Sequence, residues 1–157
     1  MKHTIQALVE NRFGVLARVA SLFSARGYNI DSLAVGETQD PTISCMTIVV
    51  NAEDERVLEQ IKKQLHKLID VITVIDLTRH SYIDRELALV KAFKKKEAKK
   101  SLNKIFDFDC VRVLEEKEDY YILEICTDHN SLEEILKEFK KTGIKELVRT
   151  GKIAISR

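Results

Sequence analysis

One short run near the start of the chain, Asn11-Arg12-Phe13-Gly14-Val15-Leu16, has the residue types of a small-molecule site. It joins an alternating apolar segment to a helical pattern, and the first turn of that helix leaves the amides of residues 14 to 16 without intrahelical partners. Such amides and the positive helix end favour a carboxylate. Asn11 can also accept a hydrogen bond from an ammonium group. The run therefore predicts a site for the two charged ends of an amino acid.

The rest of this predicted site comes from apolar neighbours and a second asparagine. Gly14 permits a tight bend before the helix. Val15, Leu16 and Ile30 could form an apolar wall. Asn29 precedes the next strand and could face the same cleft from a second subunit. A simpler interpretation, equally open from the sequence, makes the asparagines ordinary turn residues and the glycine an ordinary turn glycine.

The remaining polar residues do not indicate a catalytic site. The four histidines share no spacing typical of a metal site or of a nucleophile and its base. The five glycines are isolated, so the sequence has no glycine-rich loop for a phosphate. Most carboxylates fall on predicted helix surfaces, where solvent exposure explains them. We therefore expect a binding protein without catalytic residues or a metal site.

The charge balance suits a globular protein that needs no polyanionic partner. Charged residues make up 32% of the chain, and the net charge is only +1. The one basic concentration is the lysine-rich segment 91–100, which Glu97 interrupts. A solvated helix start is the first interpretation, a basic contact for a protein partner the second, and nucleic-acid binding the third. We therefore expect no nucleic-acid partner.

Several features of the sequence bear on its compartment. No segment approaches the roughly 18 apolar residues of a membrane span. The first residues lack the apolar core of a secretion signal. Cys45, Cys110 and Cys126 are odd in number and far apart, which favours buried free thiols in a reducing compartment. We expect a cytoplasmic protein with no membrane partner.

Apolar spacing predicts the elements that must position the candidate site. In the first half, the predicted strands are 4–9, 30–35, 43–50 and 71–77, and the predicted helices are 15–23 and 57–68. This βαββαβ order is the ferredoxin-like arrangement, in which two helices cover one face of a four-stranded antiparallel sheet.

The second half repeats this order without repeating the sequence. Its predicted strands are 87–93, 110–114, 120–126, 146–149 and 153–155, and its predicted helices are 98–106 and 132–139. The fold class is thus α+β, with an N-terminal ferredoxin-like domain and a second small ferredoxin-like α/β domain. A polar segment separates the halves, so we place the domains at 1–78 and 79–157. Each core is small, and we expect association to supply part of the stability.

Runs in both halves match the pattern of one known family. They are residues 11–19, 22–33, 60–71, Asp40-Pro41-Thr42, Met46-Thr47, Arg85-Glu86-Leu87 and Arg149-Thr150-Gly151. These runs resemble the ACT-domain family of small regulatory subunits of acetohydroxyacid synthase (acetolactate synthase), densely in the first 78 residues and more loosely afterwards. Cys45 departs from the pattern, because the family usually has arginine there. This change could alter a contact with the catalytic subunit or an exposed sheet edge.

The resemblance implies an ACT fold that pairs side by side as a homodimer and binds a feedback effector, usually valine, at the interface. Asn11, Gly14 and Asn29 match the family positions that hold this effector. The backbone around Val15 and Leu16 would take its carboxylate.

The same resemblance implies a non-catalytic regulatory subunit in branched-chain amino acid biosynthesis. It would stimulate a catalytic large subunit, which would carry thiamine diphosphate, Mg²⁺ and FAD, and this chain would hold no cofactor of its own. The alternative is a free-standing ACT-type amino-acid sensor that acts on another enzyme or on transcription.

Overall fold

The structure, a computed structural model, describes residues 2–52, 55–95, 99–139 and 142–157. They form two compact units: one contains the residues up to Ile83 together with Lys152–Arg157, and the other contains Asp84–Gly151. Each unit combines helices with an antiparallel sheet, so the predicted α+β class with two ferredoxin-like halves is confirmed. No helix within these described ranges is long and apolar enough to cross a membrane.

The elements of the first unit follow the predicted order. They are β1 (Lys2–Glu10), α1 (Val15–Ser24), β2 (Ile30–Glu37), β3 (Ile43–Asn51), α2 (Glu55–Leu65) and β4 (Val71–Asp76), followed by a short 3-10 helix (Leu77–Arg79). The sheet has the order β2-β3-β1-β4, so β2 and β4 are its edges. On β1, alternate residues Ile5, Ala7 and Val9 are fully buried in one core with side chains of both helices.

Helix α1 presents one apolar face to this core. Its buried side chains are Val15, Val19, Leu22 and Phe23. This spacing is the stripe expected of a helix packed on a sheet. The helix is followed by Gly27, which has a φ of +70° and donates its amide proton to the carbonyl oxygen of Ser24 at 3.1 Å. Gly27 therefore ends the helix in the left-handed conformation that favours glycine.

The second sheet begins with the longest strand. Its strands and helices, with the last strand of the chain, are β5 (Tyr82–Phe93), α3 (Lys99–Phe106), β6 (Val111–Glu116), β7 (Tyr120–Thr127), α4 (His129–Glu138), β8 (Ile144–Arg149) and β9 (Ile153–Ser156). The strand order is β6-β7-β5-β8, and β9 also pairs with β5. Ala88, Val90 and Ala92 of β5 pack in one core with Ile105 and Ile135 of the helices. The predicted start of α3 at residue 98 lies outside the described residues.

The observed division of the chain differs from the predicted domains 1–78 and 79–157 at the boundary, which follows Ile83, and in the last residues, which belong to the first unit. The amide of Lys152 donates to Ser32 Oγ at 3.2 Å, and the carbonyl oxygen of Ala154 accepts from Gln6 Nε2 at 2.9 Å. The amide of Arg157 donates to the carbonyl oxygen of Ser81 at 3.0 Å. These hydrogen bonds attach the end of the chain to the first unit.

A buried ion pair joins the two family motifs of the second half, Arg85-Glu86-Leu87 and Arg149-Thr150-Gly151. Glu86 is buried, and its carboxylate accepts from Arg149 Nε at 2.7 Å and Nη2 at 3.0 Å. His129 Nδ1 lies 3.0 Å from the same carboxylate. Burial raises the pKa of Glu86, but the hydrogen bonds from Arg149 and His129 together outweigh this effect, so the net shift of the pKa is downward. Thr150 and Leu87 exchange backbone and side-chain hydrogen bonds beside this pair.

Two expectations about side chains were wrong, one of them in part. The interpretation as a solvated helix start fails for Lys91, which lies on β5, and for Lys94: each lies 5.2 Å from the centre of a tyrosine ring and pairs with a glutamate. These two lysines therefore cover aromatic rings, whereas Lys99 and Lys100 do begin a helix, α3. The cysteines are free, but none of them is buried, and Cys126 is exposed. Cys45 lies on β3, which is an interior strand, and so it is not at a sheet edge.

Candidate functional site

The predicted site begins at the loop between β1 and α1, where Asn11 is held by the turn that follows β2. Its backbone amide donates to the carbonyl oxygen of Thr42 at 2.7 Å. Its side-chain Nδ2 donates to Glu37 Oε1 at 3.0 Å and to the carbonyl oxygen of Pro41 at 2.9 Å. Among the described residues, none donates to Oδ1 of Asn11. This oxygen and the Glu37 carboxylate can therefore accept hydrogen bonds from an ammonium group.

Gly14 forms the N-terminal boundary of α1 in a conformation that favours glycine. It has φ +81° and ψ −6°, and no side chain caps the helix at this position. The first helical turn also lacks an acidic residue. The amide of Val15 donates to the carbonyl oxygen of Arg12 at a long distance of 3.4 Å. The helix start therefore has amide donors and a positive end that a ligand carboxylate could satisfy.

The apolar wall predicted from three side chains is only partly supported. Val15 is 3% exposed and belongs to the core, so its side chain cannot line an accessible cleft, and that part of the prediction was wrong. Its helical position explains this, because it shares a face with the other buried residues of α1. Leu16 is 46% exposed and can contact a ligand. Ile30 is half-buried against the core of the first unit.

Asn29 lies at the opposite end of the sheet from Asn11. Strand β2 runs antiparallel to β3, because Ile30 of β2 pairs with Val50 of β3 and Glu37 pairs with Ser44. Strand β1 also runs antiparallel to β3, and its last residue lies at the Glu37 end. Since β2 has eight residues, the two asparagines are separated along the sheet by roughly 25 Å. One chain therefore does not bring Asn11 and Asn29 to one amino acid.

A shallow groove of about 540 Å³ lies beside α1 and shares only Gly14 with the predicted site residues. It runs along the helix past Arg18 to Arg26 and includes Lys67, which follows α2. The residues described in the structure contain no group of three His, Cys, Asp or Glu side chains placed to hold a metal ion.

The sequence reasoning missed Glu37 and Asp70. Glu37 reaches Asn11 because the ends of β1 and β2 meet across β3. Asp70 lies just before β4 and accepts hydrogen bonds from Arg12 and Arg18. Both are acidic residues close to the ends of predicted strands, and this position was the only feature of the sequence that pointed to them. Strand register, which the sequence does not specify, decides which loop they reach.

Comparison with known proteins identifies the family. Residues 5–73 match the family described as AHAS small subunit-like ACT domain, and residues 85–157 match the family described as small subunit of acetolactate synthase. A probable acetolactate synthase small subunit of Archaeoglobus fulgidus is 43% identical and is aligned over 100% of this chain and 98% of its own. The acetolactate synthase small subunit of Bacillus subtilis is 39% identical over 100% of this chain and 91% of its own.

A solved structure gives the same result. The crystal structure of the acetolactate synthase small subunit from Thermotoga maritima superposes with a TM-score of 0.82 at 30% sequence identity. The match covers 100% of this chain and 98% of that one. Two matching units, relatives of nearly equal length and one closely similar structure all agree. This chain belongs to the family of acetolactate synthase small subunits.

Proposed function

We propose that this chain is the non-catalytic regulatory subunit of an acetolactate synthase in branched-chain amino acid biosynthesis. It stimulates a catalytic large subunit and confers feedback inhibition by a branched-chain amino acid, which we take to be valine. Thiamine diphosphate, Mg²⁺ and FAD belong to the catalytic partner. The observation that carries the proposal is the uncapped start of α1 beside Asn11 and Glu37, in a chain whose two units both match this family.

The amino acid binds with each of its parts in a different environment. Its carboxylate accepts hydrogen bonds from the amides at the start of α1, around Val15 and Leu16. Its ammonium group donates to Oδ1 of Asn11 and to the Glu37 carboxylate. Its side chain packs on exposed Leu16.

A second copy of the chain completes this site. Strand β2 is an edge of the first sheet, so its outer side is available for pairing. When two β2 strands pair antiparallel, the start of one lies beside the end of the other. Asn29 of one copy then approaches Glu37, and hence Asn11, of its partner. Because a bound amino acid contacts both copies, it favours one arrangement of the pair, and a coupling of about 1–3 kcal/mol to the active site would be ordinary.

Calorimetric titration of the purified chain with valine tests this function. We expect saturable binding of about one valine per chain, with weaker binding of leucine and isoleucine and none of lysine. In Asn11→Ala the dissociation constant should rise roughly 10–100-fold, because a hydrogen bond to a charged group is lost. Equal affinity of Asn11→Ala, or failure of all three branched-chain amino acids to bind, would contradict the proposal.

A further inference from the structure

Asp70 is a buried carboxylate that joins three segments of the first unit. It is 2% exposed and lies between α2 and β4. Its Oδ1 accepts from Arg12 Nε at 3.0 Å and Nη2 at 2.7 Å, and its Oδ2 accepts from Arg18 Nε at 2.6 Å. Its carbonyl oxygen accepts from the amide of Glu10 at 2.9 Å. Both carboxylate oxygens and the backbone of Asp70 are thus bonded to the segment that contains the proposed effector site.

The two arginines lie on either side of Gly14. Arg12 precedes it in the loop, and Arg18 follows it in the first turns of α1. A Cβ atom on Gly14 would lie 3.0 Å from Arg18 Nη1, so the absence of a side chain leaves room for this guanidinium group. Phe13, at the tip of the loop, is fully exposed and adds no packing. Ion pairs therefore hold the loop where apolar contacts do not.

These ion pairs differ from ordinary surface pairs, which contribute little. The Asp70 side chain is almost completely removed from solvent, whereas both guanidinium groups are about half exposed. Hydrogen bonds from Arg18 and then Arg12 lower the pKa of Asp70 against the opposing effect of burial, so the group is ionised at neutral pH. Arg12 Nη2 also pairs with Glu10 Oε2 at 2.7 Å, on the strand that precedes the loop. Removing the charge of Asp70 would therefore take their common partner from both arginines and loosen the loop between them.

We propose that Asp70 is a positioning residue for the effector loop: through Arg12 and Arg18 it holds the start of α1 in the conformation that binds the amino acid, without contacting the ligand. This inference rests on the proposed function. Its physical basis is preorganisation, since a loop that is already ordered loses less entropy when the ligand binds. Releasing the loop should therefore weaken binding even though every group that touches the ligand is still present.

The test compares Asp70→Asn with Asp76→Asn in the full chain. Asp76 is also a buried aspartate, and its carboxylate accepts from the amide of Thr78 at 3.0 Å at the far end of β4. Valine affinity is measured by calorimetry and the free energy of unfolding by urea titration. We expect the dissociation constant to rise about tenfold or more in Asp70→Asn and to stay within about twofold of the wild type in Asp76→Asn. Equal losses of affinity in both variants, or none in Asp70→Asn, would overturn the inference.

A ligand-free measurement separates this inference from the function on which it rests. Hydrogen exchange of the peptide spanning residues 11–18 should be faster in Asp70→Asn than in the wild type and unchanged in Asp76→Asn. If the wild type binds no branched-chain amino acid, the proposed function fails, and the exchange rates still decide whether Asp70 orders the loop. Should Asp70→Asn not fold, Arg18→Ala replaces it, because the half-exposed side chain of Arg18 can be removed without disturbing the core. Wild-type exchange and affinity in Arg18→Ala would then contradict the inference.

Discussion

Replacing Asn29 by histidine is expected to abolish feedback inhibition of the assembled enzyme by valine. Asn29 is exposed, and its Nδ2 donates to Asp31 Oδ1 two residues away at 2.7 Å, so the substitution should not disturb the core. The larger imidazole ring would occupy the cleft that Asn29 shares with the Asn11 loop of the second copy. Activity of the holoenzyme measured against increasing valine would show a flat response in place of an inhibition curve.

The matched control is Asn103→His, which makes the same replacement at an exposed position on α3. This variant should retain the inhibition curve of the wild type. Stimulation of the large subunit without valine reports on folding and assembly in both variants. Full valine sensitivity in Asn29→His would show that this residue lies outside the effector site.

Replacing Val35 by lysine is expected to convert the dimer to a monomer at micromolar concentration and to weaken valine binding with it. Val35 is 45% exposed on β2, the edge strand through which we propose that two copies pair. A lysine on an edge strand opposes the addition of another strand, because its charge would have to be buried. Sedimentation velocity gives the oligomeric state, and calorimetry on the same samples gives the affinity.

Val113→Lys is a close control for this experiment. Val113 is also 45% exposed and lies on β6, an edge strand of the second sheet. This variant should remain dimeric and bind valine normally. If Val113→Lys dissociated and Val35→Lys did not, the dimer would form through the second unit, and the proposed pairing of β2 strands would be wrong.

The sequence predicts the strands and helices well because their signals are local. Residues alternate on β1 and repeat at helical spacing on α1, and these periods follow from backbone geometry. The helical period also contained the information that Val15 faces the core and Leu16 does not. The prediction that Val15 lines the site wall was therefore at odds with the predicted helix 15–23, to which Val15 belongs.

The contacts that require tertiary structure could not be predicted in this way. The hydrogen bond between Asn11 and the Glu37 carboxylate depends on the register of two strands on either side of β3. The partner of Arg12 and Arg18 is Asp70, at a separation of more than fifty residues. The last strand is short, and no pattern in it specifies that residues 152–157 return to the first unit. Register and chain return are properties of the whole fold, whereas periodicity is a property of one segment.

The matches of both units to acetolactate synthase small subunits also favour one of the two functional hypotheses from the sequence. A free-standing sensor would combine an ACT domain with an unrelated output domain. Here residues 85–157 match the small subunit of acetolactate synthase, as residues 5–73 match the corresponding ACT domain. The second unit therefore favours a regulatory subunit over a sensor that acts elsewhere.

Subunit complementation tests most directly whether the effector site is built from two copies of the chain. Asn11→Ala and Asn29→His chains are co-expressed and titrated with valine, and each variant is also titrated alone. A mixed dimer contains one site with both asparagines intact, so random mixing should restore wild-type affinity at roughly one quarter of the sites. Alone, Asn11→Ala should bind valine roughly 10–100-fold more weakly than the wild type, and Asn29→His should not bind it. If the mixture binds no more valine than the separate variants, Asn11 of one copy and Asn29 of the other do not form a shared site.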